Sequence, residues 1–418
     1  MMMMVVTGVR ATAQEALRSS LAYDQAVPPR QNEVVNPEPD QPHLGPAQLT
    51  LGAYTSVDYM DNVFYTQSNP QSDFILHAGV TTGIFWPLTT LSDITLNTGI
   101  GYAHYLKSSQ NDYVEVTPNS VLNWNISLDD VVFTFYDQFS YTESVVTQPA
   151  LVGTATFPIF DNTAGARVNW TPNQWLFQAG YSYDDYVPES PAFNYLERTS
   201  DYFFVRGAWR FAENTQAGLE ASDSLTSYTV ASQSGNSSVS VGPYAEWQIT
   251  QAIHATIRGG PTFYFFDSSG AANQGSSLGS YYFGLQISHQ LTDFLSHQIS
   301  INREVSLGLN QGGNYSEQLT GTYSVSLALT QNIGLTVNAS YVHGTQTFQN
   351  LVPVFPGFGL LLNQTENFDQ YSMGPAVSWQ ATKKFSTSLS YNYYVRDSNL
   401  PARGYIENSF SMKLNYAF

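Results

Sequence analysis

The chain contains no cysteine. Disulfides, iron–sulfur clusters and thiolate-held zinc are therefore excluded. Charge is also scarce: Asp, Glu, Lys and Arg make up 11% of the 418 residues, against an ordinary share of about 25%. That is too little to coat the two or three soluble domains such a length would otherwise suggest. Long apolar runs are missing as well. No stretch reaches the roughly 18 apolar residues of a helical membrane span. Basic residues are outnumbered, 15 Lys+Arg to 33 Asp+Glu, for a formal net charge of −18. This speaks against nucleic acid as a partner, because phosphate backbones are held by basic side chains.

Aromatic residues are abundant: 28 Tyr and 25 Phe help to bring their share to 14%. Yet the mean hydropathy is −0.20, too polar for a helical bundle in lipid. Both facts are met if half of every element faces lipid and half faces water. The last residues, 408–418, show how. Phe410, Met412, Leu414, Tyr416 and Phe418 alternate with Ser409, Ser411, Lys413, Asn415 and Ala417. A period of two means an extended strand with opposite faces. The same texture recurs from residue 47 onward. Ile94, Leu96, Ile100 and Tyr102 alternate with Thr95, Asn97, Gly99 and Gly101; Phe385, Leu389, Tyr391 and Tyr393 alternate with Ser386, Ser388, Ser390 and Asn392. The polar face is Ser, Thr, Asn, Gln and Gly, which suits a wet lumen better than an open soluble surface.

Connections between these segments are of two kinds. Short ones fall at 86–93, 127–130, 171–174, 212–215, 249–252, 291–294, 329–332 and 381–384, rich in Asn, Asp and Pro as turns require. Long ones fall at 62–71, 147–158, 187–199, 231–238, 267–277, 309–314 and 343–367. The expectation is an all-β, closed antiparallel transmembrane β-barrel of about 18 strands, with short periplasmic turns and long extracellular loops. Trp86, Trp124, Trp170, Trp175, Trp209, Trp247 and Trp379 all sit beside short turns on the apolar parity. They are expected to form an aromatic girdle at the periplasmic interface. A soluble propeller shares a hairpin repeat of roughly 40 residues, but no blade motif recurs.

Ahead of the barrel, residues 1–13 read as a degenerate or truncated secretory signal, with Ala11, Thr12 and Ala13 as a cleavage site. Residues 14–46, with six prolines after position 27, read as an extended periplasmic leader. The barrel itself is expected over 47–418.

By parity, Arg167, Arg206, Arg210, Arg258 and Lys413 point inward, as do Glu220, Glu246, Glu304 and Glu407. Such residues either line a constriction that orients polar solutes or merely neutralise one another across neighbouring strands. Inward Tyr54, Tyr136, Tyr202, Tyr244, Tyr264, Tyr282 and Tyr394 either form a track for sugar rings or fill the wall. Asp137, Asp223 and Arg303 fall on the lipid-facing parity, where a midplane charge costs roughly 2–4 kcal/mol for Arg and less for Asp. They are expected near the loop end, or at bulges that shift the parity. The segment 343–367 is unusually apolar, with Leu351, Val352, Val354, Phe355, Phe358, Leu360, Leu361 and Leu362. It is expected to narrow the lumen, to extend a hairpin above the membrane, or to pack on a neighbouring protomer.

The C-terminal pattern of Phe410, Met412, Leu414, Tyr416 and Phe418 resembles the signal by which the barrel assembly machinery reads its clients. Residues 54–75 resemble the opening of the second beta-barrel porin family through Asp61, Asn62, Ser72 and Asp73. Segments 135–142 and 301–308 resemble it too. That likeness implies a porin-like protein, with some relatives beside exopolysaccharide gene clusters, and assigns no functional residue. No catalytic residue, metal site or cofactor is expected: the seven His show no ligand spacing, and neither a G-x-S-x-G elbow nor a phosphate loop occurs. The reading is a channel for passive diffusion of small polar solutes or saccharides. Its expected surroundings are outer-membrane lipid, lipopolysaccharide, and a homotrimeric assembly as one arrangement. The alternatives are an exopolysaccharide exporter or a plugged structural barrel.

Overall fold

The computed structural model describes residues 42–143, 157–230, 233–267, 277–308, 313, 315–355 and 358–418. The expected signal and residues 14–41 of the leader lie outside these, as do parts of five long loops. The side chains of 348–362 are outside them as well.

Every region of alternating polarity is a strand. After the two-residue β1 (His43–Leu44) come β2 (Ala47–Met60), β3 (Asp73–Thr89), β4 (Ser92–Tyr105), β5 (Tyr113–Leu128), β6 (Val131–Glu143) and β7 (Pro158–Trp170). They are followed by β8 (Trp175–Pro188), β9 (Arg198–Ala212), β10 (Thr215–Tyr228), β11 (Asn236–Gln248), β12 (Ile253–Phe266) and β13 (Ser277–Thr292). The last six are β14 (Leu295–Leu307), β15 (Tyr315–Ala328), β16 (Ile333–Phe355), β17 (Phe358–Gln380), β18 (Phe385–Ser398) and β19 (Tyr405–Ala417). Each of β2 to β19 pairs antiparallel with its sequence neighbours, and β19 pairs with β2 from Ala417↔Gly52 to Ser409↔Met60. The result is a closed ring of 18 strands, the 19 of the sheet less the short β1. β1 folds back on the start of β2 through Gly45, whose φ of 61° favours glycine.

Closure gives every strand of the ring a paired neighbour on both sides, which is the condition for β structure in lipid. The outward parity is apolar and exposed around the ring, as at Val57, Val80, Ile100, Val205, Leu219, Phe263 and Met412. The inward parity carries the Ser, Thr, Tyr and charged residues. Short turns occupy all eight expected places. Three are built alike: Thr250, Thr330 and Thr382 each accept the amide of the residue three further on, Ile253, Ile333 and Phe385. A threonine hydroxyl thus closes the turn where the ladder cannot.

Three loop boundaries differ from expectation. Of the expected loop 231–238, residues 236–238 already belong to β11. The segment 343–367 is mostly strand: β16 and β17 are 23 residues each and pair as far as Phe355↔Phe358. Of the three arrangements for it, the backbone takes the extended hairpin. Within 187–199, residues Pro191–Leu196 form a 3-10 helix and Arg198 already belongs to β9.

Candidate pore and its lining

All nine predicted lumen charges lie on the inward parity, but they are not equivalent. Glu220, Arg258, Glu304 and Glu407 are buried, whereas Arg167, Arg206, Arg210, Glu246 and Lys413 keep some exposure. The first group packs into the wall. Arg206 donates from Nε and Nη2 to Glu220 Oε2 at 3.2 and 3.0 Å, and Arg258 Nη1 lies 3.5 Å from the same oxygen. The Tyr282 hydroxyl donates to Glu220 Oε1 at 3.2 Å, and Arg206 lies over the Tyr244 ring at 4.6 Å. Two guanidinium groups thus share one carboxylate on this wall. Arg167 adds to it: its guanidinium sits 5.9 Å from the Tyr136 ring centroid and makes no ion pair among the described residues. Nearer the short turns, Arg210, Glu246 and His254 line a cavity of about 340 Å³ with Leu176, Glu213, Asn214 and Gln216.

A second cluster was only partly foreseen. The Tyr54 hydroxyl donates to Glu115 Oε1 at 2.6 Å, and His77 bridges Glu115 Oε2 at 3.0 Å and Asp58 Oδ2 at 3.1 Å. Lys413 lies over the Tyr54 ring at 4.9 Å. Asp58 shares the parity of Tyr54 and was readable. Glu115 was not, because the β5–β6 register shifts between Val116 and Ser120 and the β4–β5 register between Asn97 and Ile100, and alternation cannot be carried across that break. His77 on β3 is seven strands round the ring from Glu220 on β10 and nine from Arg258 on β12. In an 18-strand barrel the two clusters therefore stand nearly opposite.

The long-loop mouth is crossed by an apolar bridge. Tyr65 from the β2–β3 loop and Tyr405 of β19 meet with ring centroids 5.3 Å apart. They belong to one buried cluster with Phe157, Ile159, Tyr186, Phe193 and Leu196. Ile159 and Tyr186 stand on β7 and β8, six and seven strands from β19. The 3-10 helix at Pro191–Leu196 thus reaches inward over the lumen, where Phe193 stacks on Phe157 at 4.1 Å. Burial pushes the Tyr195 hydroxyl up to about 12, and the neighbouring Arg403 of the β18–β19 loop opposes the shift. A polar anchor sits alongside. Glu366, fully buried, accepts from Arg396 and Arg403 at 2.8 Å each and from Gln346 and Ser398 at 2.7 Å each. It lay unremarked within a segment expected to be a loop.

The motif residues tie loops to the wall. Asp61 accepts both the backbone and side-chain N–H of Asn408 at 2.7 Å. Asn62 donates to the Ile406 and Thr66 carbonyls at 2.9 Å each. Asp73, also buried, accepts the amides of Lys107 and Ser108 at 2.9 Å each. Five of the seven inward tyrosines, Tyr54, Tyr202, Tyr244, Tyr264 and Tyr282, are buried.

On the outside, the seven tryptophans all lie on the exposed parity toward the short-turn end. Trp124 and Trp170 direct their indole N–H to Ser92 and Asp130 at 2.9 Å each, an apolar body with a polar tip. Asp137, Asp223 and Arg303 face outward with no register shift at any of them. A concavity of about 600 Å³ also lies on the outer face, floored by Gly207, Ala179 and Ala221 between Trp170, Phe177 and Leu219. It does not belong to the lumen. A closed barrel with this exterior is a protein of the bacterial outer membrane.

No family model matches the chain, and no curated protein matches it. Among solved structures, OpdQ from Pseudomonas aeruginosa is 11% identical over 90% of this chain and 99% of its own, with a TM-score of 0.49. OccK2 (OpdF) from the same organism is 11% identical over 90% and 100%, with a TM-score of 0.49. A loop-deletion variant of OmpT from Vibrio cholerae is 12% identical over 89% and 100%, with a TM-score of 0.39.

Proposed function

We propose that the chain is a porin-like channel through which small polar solutes diffuse passively. The observation that carries this is the closed ring of 18 strands with a charged inner face, since barrels of about 16–18 strands leave an aqueous lumen. A solute would pass between the wall of Arg167, Arg206 and Arg210 and the wall of Asp58, Glu115 and His77. The field between them orients dipolar solutes. Planar-bilayer conductance of the purified protein tests this; traces at the level of protein-free membrane would remove the channel reading. Arg167→Glu is expected to shift ion preference toward cations, because Arg167 has no acidic partner among the described residues to mask it.

A second reading is a barrel closed at rest, favoured by the Tyr65–Phe193–Tyr405 bridge over the mouth. Conductance would then be low and rise in Phe193→Ala. The exporter reading needs accessible aromatic rings, and the burial of five inward tyrosines gives it little support. The likeness to the second beta-barrel porin family rests on its short motifs. Phe410, Met412, Tyr416 and Phe418, all exposed on the outer face, are proposed with Leu414 as the signal read during assembly. The seven tryptophans are proposed as the interfacial girdle.

A further inference from the structure

The wall is not equally continuous all the way round. Between β13 and β14 the ladder runs from Thr292↔Leu295, beside the short turn, to Phe283↔Arg303 and stops. β13 continues through residues 277–282, paired with β12, while β14 continues through 304–307, paired with β15. The two hairpins part in their outer halves. The end of β14 turns inward there. Val305 is buried against Tyr264 and Phe266 of β12, and the Tyr264 hydroxyl reaches past β13 to the Val305 carbonyl at 3.0 Å. Leu278 and Tyr315 complete this apolar cluster. The outer face at the same level still belongs to lipid. Phe263 and Phe265, which pair with Gly279 and Ser277, are 48% and 51% exposed.

Arg303 sits where the parting begins. Its guanidinium lies 3.8 Å from the Tyr281 ring centroid and donates to the Tyr281 carbonyl at 2.5 Å and to Ser280 Oγ at 3.1 Å. It pairs with Glu317 of β15 at 3.3 Å, and the Ser280 hydroxyl donates to the same Glu317 oxygen at 3.1 Å. Side chains thus join the two hairpins where backbone bonds have ended. This explains a charge on the lipid-facing parity without a bulge.

We propose that the parting of β13 and β14 is a lateral portal, latched by Arg303 and Glu317, through which a single-chain amphiphile passes between lumen and membrane. Its hydrocarbon tail would rest on Tyr264, Phe266, Leu278, Val305 and Tyr315. The neighbouring inner wall is polar: Ser222, Ser224, Ser238, Ser240 and Thr262 are its buried inward residues. An apolar patch directly behind a break in the wall fits a tail, while the headgroup keeps to the polar lumen. The proposal goes beyond the channel reading, and neither requires the other.

The test uses a fatty acid with a photoreactive diazirine at its tail, added to the protein in liposomes. Labelled residues are then mapped by mass spectrometry. Labelling is expected on Tyr264, Phe266, Val305 and Tyr315. Because the chain has no cysteine, Ser280→Cys with Glu317→Cys can be joined by a short reducible bis-thiosulfonate linker. Joining is expected to cut labelling about tenfold, with recovery on reduction. Arg303→Ala should raise it by about threefold or more. Val305→Asp, with the latch intact, should lower it. Equal labelling in the linked and free protein, or labelling confined to the outer concavity at Gly207, overturns the portal. Polar-solute permeation should be the same in linked and free protein, and a folded-band shift on electrophoresis confirms the barrel in every variant.

Discussion

The barrel has two seams that differ in how they are sealed. Where β19 meets β2 the ladder has nine pairs, and so has the ladder between β13 and β14. Beyond the ninth pair at β2–β19, the Asp61 amide still bonds to the Asn408 carbonyl at 3.1 Å, and partly buried side chains add to it. Asp61 accepts two N–H groups of Asn408, and Asn62 donates to the Ile406 carbonyl. The chain ends that must find each other last are therefore fastened by short, part-buried bonds, two of them to backbone groups. Beyond the ninth pair at β13–β14, the crossing contacts are Arg303 of β14 to the Tyr281 carbonyl and Ser280 Oγ of β13, and Ser280 to Glu317 of β15, with the Arg303 and Glu317 side chains 18% and 35% exposed. Bonds to backbone groups in a buried site are strong because water cannot replace them. The Arg303–Glu317 pair that positions these groups lies within the β14–β15 hairpin, is partly exposed, and competes with solvent. Equal ladders thus give one permanent closure and one that can yield.

Breaking the closure seam should have the largest effect. Asp61→Ala with Asn62→Ala leaves Asn408 and Ile406 unsatisfied, and a loss of roughly 3–5 kcal/mol is expected. It would be read as a fall in the temperature at which the folded band disappears on electrophoresis. Arg303→Ala should cost only about 1 kcal/mol, after allowing for solvent screening of the pair. A drop as large as that of the closure variant would mean that both seams are structural in the same way.

Salt sharpens the contrast further. Raising ionic strength from about 0.1 to 1 M shortens the screening length from about 10 to 3 Å. Fatty-acid labelling through the β13–β14 parting should rise by about twofold, while the melting of the closure seam stays put. The smallest effect concerns pH at the loops. Asp112, in the β4–β5 loop, feels burial that would raise its carboxyl. The Tyr105 amide and His104 outweigh that burial and hold it below its ordinary 3.8. A lowered folded value means that its contribution is present above 3.8 and lost as pH falls through the folded value. Limited proteolysis should therefore cut this loop faster in that acid window, and Asp112→Asn should abolish the change.

Strand-bearing regions were legible because lipid and water impose opposite demands on alternate residues. Residues 94–102 and 408–418 needed nothing else. Turn positions were legible because Thr, Asn, Asp and Pro supply backbone geometry locally. Legibility failed where a residue's partner lies far along the chain. Glu115 sits beyond a register shift. Glu366 is held by Arg396 and Arg403, about 30 and 37 residues on. The mouth-crossing cluster gathers residues from 65 to 405. Arg303 was recognised as an anomaly, but its cause, a ladder that ends early, is a relation between two strands that neither one's pattern records.

Alternation by itself determined that this chain must form a ring with an apolar outside, since unpaired strand edges and buried polar faces cannot persist in lipid. It determined roughly how many strands there are and, outside the register shifts of β5, which parity faces inward. Only the tertiary structure decided which inward charges are spent on one another, what bridges the mouth, and where the ring is weakest. These depend on distances across the lumen and between hairpins, and a period of two along one strand carries no such distance.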